Sequence, residues 1–290
     1  MTVTDSEAPS LADLIAVLDG LYPPGTAQSW DQVGLVSGDP DQPVQRIHLA
    51  VDPTLAVIEE ARDAGADLLI THHPLLLRGV HSVATTSAKG ASVTALVVAD
   101  LALYVAHTNA DVARPGVNDA LAQAAGLEET VPLAERDGQS LGLVGDLPEP
   151  MSLEAFARML AEALPPAPVG VRVSGRADGD VRRVAVLGGA GDDAFDDVRA
   201  SGADVYVTAD LRHHPALEAR EEARGGPPYL IDAGHWATES LWLQGAADRI
   251  RAALGARADS VDLHVSTLRT DPWDFLVPSG DPAQRLGGPR

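Results

Sequence analysis

Leu68-Leu69-Ile70-Thr71-His72-His73-Pro74 is the segment from which the rest of the sequence is best interpreted. Its apolar run predicts a buried strand over 67–71, and two histidines follow where that strand ends. Pro74 disfavours a helical conformation at His73, so both imidazoles are expected at the carboxyl edge of a sheet. Histidine is the commonest metal ligand, but for this pair alone one buried and one exposed histidine is an equally good interpretation.

Two further histidine–carboxylate pairs follow apolar segments in the same way. His107 comes after a predicted strand over 102–106 and is followed by Asp111. His235 and Glu239 lie one helical turn apart, so both side chains share a face if a helix begins at His235. Each pair also has a plainer interpretation, since Asp111 can be a turn residue and Glu239 can form a surface ion pair.

The case for a metal site depends on convergence, because the carboxyl ends of parallel strands meet at one edge of an α/β sheet. The candidate ligands are His72, His73, His107, Asp111, His235 and Glu239. This set exceeds what one tetrahedral zinc ion needs and suits two divalent ions. The chain has no cysteine, which excludes thiolate ligands and leaves Zn, Mn, Fe, Co, Ni and Mg as candidates.

Predicted strands alternate with predicted helices along the chain, which indicates an α/β fold with mostly parallel strands. The second half repeats the first. Arg46-Ile-His-Leu-Ala-Val aligns with Arg183-Val-Ala-Val-Leu-Gly, and residues 62–71 align in the same register with residues 199–208. We therefore expect two similar α/β domains related by an internal repeat, with the metal site at strand ends between them.

The domain limits are less well marked in the sequence. We expect residues 1–130, together with a C-terminal strand at about 255–290, to form the first domain and residues 131–254 the second. The hydrophobic periodicity fades from residue 131 to residue 144. The segment Pro165-Pro166-Ala167-Pro168 is interpreted as a linker or a domain edge.

One segment favours a different kind of site. Gly189-Ala190-Gly191-Asp192-Asp193-Ala194 follows a predicted strand and formally fits the glycine-rich loop of dinucleotide-binding folds. In such a loop the pyrophosphate lies at the helix N-terminus, where Asp192 and Asp193 would repel it. A tight turn between strand and helix is the better interpretation.

The other histidines have weaker claims to the site. His213 and His214 form a second His-His-Pro, but the repeat aligns His72 and His73 with Ala209 and Asp210 instead. We expect the second His-His-Pro to begin a helix, either on the surface or facing the substrate. Three more histidines have no partner in the sequence: His48, His81 and His264. Of these, His81 could approach the site on its loop.

The composition limits the kinds of partner. The 290 residues are 45% hydrophobic and 22% charged, which is typical of a globular protein. A net charge of -21 argues against nucleic acid and against an anionic membrane surface, and it admits an anionic substrate only where metal ions reverse the local field. The N-terminus has no signal-peptide core, and no apolar run approaches the roughly 20 residues that span a bilayer. We expect a cytoplasmic protein.

Three motifs in this order resemble a known family. They are Ile70-Thr-His-His-Pro-Leu-Leu-Leu-Arg-Gly79, His107-x-x-x-Asp111 with Gly116-Val-Asn-Asp-Ala-Leu121, and Asp232-Ala-Gly-His-x-x-Thr-Glu239. Together they resemble the "GTP cyclohydrolase 1 type 2" homologues, also called Nif-three-like or dinuclear metal centre proteins. The similarity extends from Trp30-Asp-Gln-Val-Gly-Leu35 to the C-terminal strand.

The resemblance implies two similar α/β domains around a two-metal site. It implies that Glu239 bridges the ions and that His107 is an additional ligand or a close neighbour. It also implies a toroidal homohexamer with the sites facing an internal cavity, and hydrolytic opening of the imidazole ring of GTP. A fold and a site do not determine a substrate, so the family name is weak support for that reaction.

These considerations predict a metal-dependent hydrolase that uses a metal-activated water on a small, nucleotide-type substrate. His107 and Glu239 are its candidate catalytic residues, and His214 is a second candidate for carrying protons. The alternative is a non-catalytic metal-binding protein with a regulatory or assembly role, and the sequence does not separate the two.

Overall fold

The computed structural model describes residues 8–277. Its strands are β1 (Gly34–Ser37), β2 (Arg46–Ala50), β3 (Leu68–Thr71), β4 (Ala102–Val105), β5 (Glu128–Arg136), β6 (Gln139–Ser152), β7 (Arg172–Ser174), β8 (Asp180–Ala190), β9 (Val205–Ala209), β10 (Tyr229–Asp232) and β11 (Asp262–Val265). Its α-helices are α1 (Leu11–Leu21), α2 (Leu55–Asp63), α3 (Ala88–Val98), α4 (Thr108–Val112), α5 (Val117–Ala124), α6 (Leu153–Ala163), α7 (Phe195–Ser201), α8 (His213–Glu222), α9 (His235–Ser240) and α10 (Trp242–Leu254).

The strands form two mixed sheets. The first has the order β1-β4-β3-β2-β11, in which β4, β3, β2 and β11 are parallel and β1 is antiparallel. The second has the order β5-β6-β8-β9-β10-β7, in which β8, β9 and β10 are parallel and the other pairings are antiparallel. Two sheets with helices packed on them confirm the predicted α/β class with two similar halves.

The predicted repeat is visible in matching hydrogen bonds. In the first sheet the Asp67 carboxylate accepts from the backbone N–H groups of Gln45 and Arg46, at 2.7 and 2.9 Å. In the second, Asp204 accepts from Arg182 and Arg183 at 2.9 and 2.8 Å. Each aspartate thus holds the start of the strand that follows it beside the preceding strand of the repeat.

One element was missed in the region where the periodicity fades. Residues 128–152 form the long antiparallel pair β5–β6, joined at Asp137 and Gly138, which have φ values of +52° and +74°. Positive φ at both positions is typical of a two-residue hairpin turn, and an Asp-Gly pair is a recognised signal for it. The segment Pro165–Pro168 links α6 to β7. It lies within the second half, because β6 before it and β8 after it pair within one sheet.

A hydrophobic core lies beside each sheet, and one helix from late in the chain completes the first core. Leu14 and Leu18 of α1 pack with Leu243 and Ile250 of α10 against the first sheet. The predicted limits assign α10 to the second domain, although it packs with the first sheet. Those limits stay a prediction.

Candidate metal centre

The candidate ligands come from the carboxyl edges of both sheets. His72 and His73 directly follow β3, and β4 leads through Ala106 to His107, the residue before α4. The short helix α4 carries Asp111. On the other side, α9 begins at His235 and carries Glu239. The four histidines and two carboxylates singled out in the sequence therefore meet at one place.

Glu239 lies at the middle of this cluster. Its Oε1 atom is 3.0 Å from His235 Nε2 and 3.4 Å from His72 Nε2, and its Oε2 atom is 3.0 Å from His73 Nε2. Asp111 Oδ1 is 3.7 Å from His72 Nε2. Two sets of three residues each offer ligand atoms that all lie within 4.8 Å of one another, and both sets include His73. The sets are His72, His73 and His107, and His73, His235 and Glu239.

Each of the four imidazoles donates a hydrogen bond from Nδ1, which leaves its Nε2 atom available as a ligand. The acceptors are Ala106 O for His72 at 2.9 Å, Asp52 for His73 at 2.7 Å, Asp31 for His107 at 2.9 Å and Asp210 for His235 at 2.9 Å. Metal-binding histidines commonly donate their second N–H to a carboxylate or a carbonyl in this way, which fixes the tautomer and the ring orientation.

The supporting carboxylates are held as anions. Burial would raise the pKa of Asp31, but hydrogen bonds from His107 and Thr108 outweigh burial and lower it to about 2. Burial would likewise raise the pKa of Asp52, but the hydrogen bond from His73 outweighs burial and lowers it. For Asp210 the hydrogen bond from His235 is the main cause of a lowered pKa. These residues were missed in the sequence. The available signals were the alignment of Asp210 with His73 in the repeat and the position of Asp31 in the Trp30–Leu35 segment.

The centre itself concentrates buried charge. Burial would raise the pKa of Glu239, but the adjacent His72 and His73 hold it well below its ordinary value. Burial would lower the pKa of His73 and of His235, but neighbouring carboxylates raise these pKa values to about 10 and about 11. Burial raises the pKa of Asp111.

The donor atoms fit divalent cations. His72 Nε2 and Asp111 Oδ1 are buried and make no hydrogen bond. A buried polar atom without a partner costs about 1–3 kcal/mol, and a cation in contact with these atoms would remove that cost. Imidazole nitrogens and carboxylate oxygens without sulfur suit Zn, Mn, Fe, Co or Ni.

Gly189 shapes the floor of the centre. Its φ is +67°, and a Cβ atom on it would lie 2.4 Å from Glu239 Oε1. Its N–H donates to Thr238 Oγ1 at 3.0 Å. Nearby, Asp192 and Asp193 pair with Arg212 and Arg136. The glycine therefore admits the Glu239 carboxylate, which agrees with a tight turn and gives no support to a dinucleotide loop.

Two cavities open beside the centre. One of about 510 Å³ is lined by His107, Asp111, Glu239 and the ring of Trp30, which is 54% exposed. The other, of about 750 Å³, lies against His73 and His235 and is also lined by Trp273 and Arg172.

The weaker histidine candidates lie elsewhere. His213 and His214 begin α8, as predicted, and both are exposed. His81 is exposed as well. The described residues that line the two cavities do not include His81, His213 or His214. The structure therefore gives no support to a proton-carrying role for His214 or to an approach of His81. Within residues 8–277, no helix is both long and apolar enough to cross a bilayer.

Comparisons with known proteins place the chain in a family. Residues 9–272 match the profile of the family described as Duf34/NIF3 (NGG1p interacting factor 3). A "GTP cyclohydrolase 1 type 2 homolog" of Streptomyces coelicolor is 46% identical over 286 residues, covering 97% of this chain and 99% of the relative. A protein of the same description from Mycobacterium tuberculosis is 36% identical, covering 91% of this chain and 97% of the relative. The crystal structure of a Bacillus cereus protein related to NIF3 superposes with a TM-score of 0.85 at 27% identity, over 93% of this chain and all of that chain.

Proposed function

The chain belongs to the Duf34/NIF3 family, and on that premise we propose that it is a divalent-metal-dependent hydrolase that acts on a nucleotide-type substrate. The observation that carries the proposal is the arrangement of four imidazoles around the buried Glu239, with every Nδ1 atom donating to an acceptor. Such uniform orientation is what a metal centre needs and is not required for packing.

Five residues would hold two ions in this proposal: His72, His73, Asp111, His235 and Glu239. His107 is their close neighbour and keeps its Nε2 atom free for proton transfer. Glu239 suits the bridging position because its two oxygen atoms face different histidines, Oε1 towards His235 and Oε2 towards His73. Two ions held there would polarise a substrate oxygen and lower the pKa of water, which supplies a nucleophile at neutral pH.

His107 is the proposed proton carrier. Its ring lines the cavity of about 510 Å³, and Asp31 accepts from its Nδ1 atom at 2.9 Å. Asp31 also accepts from the N–H and hydroxyl groups of Thr108 at 3.1 and 2.6 Å, which holds the carboxylate in place. His107 Nε2 can therefore hold a proton and pass it to a substrate group in the cavity, while Asp31 keeps the ring oriented.

The nucleotide class is supported by Trp30. Its exposed ring lines the same cavity and lies edge-on to His107, with ring centroids 5.9 Å apart. A planar base can stack on an exposed indole. Arg136 also lines this cavity, but it pairs with Asp193 and Asp197. The ions must therefore provide most of the positive charge for an anionic substrate.

The test is turnover by the purified full chain, stripped of metal and reloaded with Zn, Mn, Fe, Co, Ni or Mg. The substrates are nucleoside triphosphates, including GTP, together with nucleotide phosphoesters, and products are identified by mass spectrometry. We expect metal-dependent hydrolysis that Glu239→Gln lowers by about 100-fold or more, as loss of a ligand at a reacting centre does. The exposed Glu222→Gln is the matched control and should leave the rate unchanged.

Equal rates for wild type and Glu239→Gln would overturn the proposal. Absence of turnover across the panel in protein that holds its metal would favour a non-catalytic metal-binding role.

A further inference from the structure

A second cluster of metal-ligating side chains lies on the first sheet, outside the centre. His48 and His264 have no partner in the sequence, but the structure makes them neighbours on the parallel strands β2 and β11. Their Cα atoms are paired in register, and their ring centroids are 4.8 Å apart with planes tilted by 35°. Residues paired in register project to the same side of a sheet, so the contact follows from the strand pairing.

The helix α2 supplies a carboxylate to these two rings. Glu60 Oε2 is 3.0 Å from His48 Nε2 and accepts from Ser266 Oγ at 2.5 Å. One ligand atom from each of Glu60, His48 and His264 lies within 4.8 Å of the other two. Ser266, directly after β11, holds the carboxylate by this hydrogen bond. The three groups come from three different elements, β2, α2 and β11.

Burial distinguishes this cluster from an ordinary surface group. His48 is only 1% exposed, and its Nε2 atom faces the Glu60 carboxylate. His264 is exposed, which leaves the cluster open to solvent on one side. None of the three residues is among those lining the two cavities beside the metal centre.

We propose that His48, Glu60 and His264 form an additional, mononuclear site for a divalent transition-metal ion, separate from the metal centre. Two imidazoles and one carboxylate are a recognised ligand set for Zn²⁺ and Fe²⁺, with open positions for water or a small ligand. Nitrogen ligands disfavour Mg²⁺ and Ca²⁺, which prefer oxygen. The ion would replace the hydrogen bond between Glu60 and His48, and the exposed His264 would be its third protein ligand.

The test counts Zn²⁺ ions bound to the full chain after metal removal. Wild type, His264→Asn, Glu239→Gln and the double variant are titrated with Zn²⁺ and analysed for metal after gel filtration. We expect His264→Asn to lose about one ion per chain in both backgrounds, with affinity at this site falling about tenfold or more. His81→Asn, which replaces an exposed histidine outside the cluster, is the matched control and should lose none.

Location is tested by anomalous diffraction at the zinc edge from crystals of wild-type protein equilibrated with Zn²⁺. A peak between His48, Glu60 and His264 is expected, and it should be missing in His264→Asn. An unchanged count in His264→Asn, or no peak at the cluster in zinc-loaded wild type, would overturn the proposal and leave the cluster as a hydrogen-bonded group. Either result is independent of turnover, and His264→Asn should keep whatever hydrolytic rate the wild type has.

Discussion

At the scale of single residues, the orientation of the candidate ligands depends on carboxylates outside the ligand set. Asp31, Asp52 and Asp210 each accept from the Nδ1 atom of one histidine, so each decides which nitrogen that ring presents. Gly189 has a steric role, because it leaves space for the Glu239 carboxylate where any side chain would collide with it. A centre built in this way is sensitive to small changes that leave every ligand in place.

Gly189→Ala tests this sensitivity. The added Cβ would lie 2.4 Å from Glu239 Oε1, and φ at this position is +67°. Gly202→Ala is a matched control, because Gly202 has φ of +69° and an added Cβ would meet nothing within 4 Å. Both changes should cost about 1–2 kcal/mol of stability from the strained backbone. Only Gly189→Ala should also lower metal affinity, by about tenfold or more.

Isothermal titration of the metal-free proteins with Zn²⁺ measures the affinities, and urea unfolding measures the stabilities. Equal metal affinity in the two variants would show that Glu239 can move without loss and that Gly189 has no role in the centre.

At the scale of elements, the two halves use the same strand–helix–strand unit with different endings. Each unit has an aspartate, Asp67 or Asp204, whose carboxylate accepts hydrogen bonds from the backbone of the preceding strand. This pair of contacts is the shared clamp. The units differ at the strand end, where the first unit presents His72 and His73 and the second presents Ala209 and Asp210. The repeat thus supplies the scaffold twice, and His72 and His73 come from a position where the two copies diverge.

The shared clamp predicts equal costs of removal. Asp67→Ala and Asp204→Ala each delete a carboxylate that accepts two backbone hydrogen bonds, so each should lower the free energy of unfolding by about 1–3 kcal/mol. The exposed Asp259→Ala is the control and should change it by less than about 0.5 kcal/mol. Urea unfolding of the metal-loaded proteins provides the comparison. A large cost for one clamp and none for the other would contradict structural equivalence of the two units.

At the scale of the whole molecule, the centre joins the two sheets. His72 and His73 follow a strand of the first sheet, while Glu239 and His235 follow a strand of the second. In metal-free protein these groups attract one another as protonated histidines and carboxylates. Ions would replace the protons, so metal binding, folding and pH are linked.

That linkage has a definite sign. Burial would lower the pKa values of His73 and His235. Neighbouring carboxylates outweigh burial and raise them from an ordinary value of 6.5 to about 10 for His73 and about 11 for His235. A raised pKa adds stability that is fully present below about pH 6.5 and is lost as pH rises through the folded-state values. Metal-free protein should therefore lose stability between pH 7 and pH 9, whereas metal should bind more tightly over the same range because fewer protons compete with it.

Thermal unfolding with and without a chelator at pH 7, 8 and 9 tests this expectation. The difference in Tm between metal-loaded and metal-free protein should widen by about 5 °C or more from pH 7 to pH 9. A constant difference would contradict proton-coupled metal binding.

The ring-shaped homohexamer that the family resemblance implies stays a prediction, to be checked by light scattering on the same samples.

The sequence by itself determined the α/β class, the internal repeat and the six residues that meet at the centre. These follow from local patterns: a buried strand shows as an apolar run, and histidines placed after strands of one sheet must lie near its carboxyl edge. The hairpin β5–β6 carried a local signal in Asp137-Gly138 that was overlooked.

Only the tertiary structure decided which acceptor orients each histidine, why residue 189 is a glycine, and that His48 meets His264. Each of these depends on a distance between residues far apart in the chain, such as Asp31 and His107 or Glu60 and Ser266. Sequence spacing constrains distances only within a helical turn or along a strand. Distances between elements are set by how the two sheets and their helices pack.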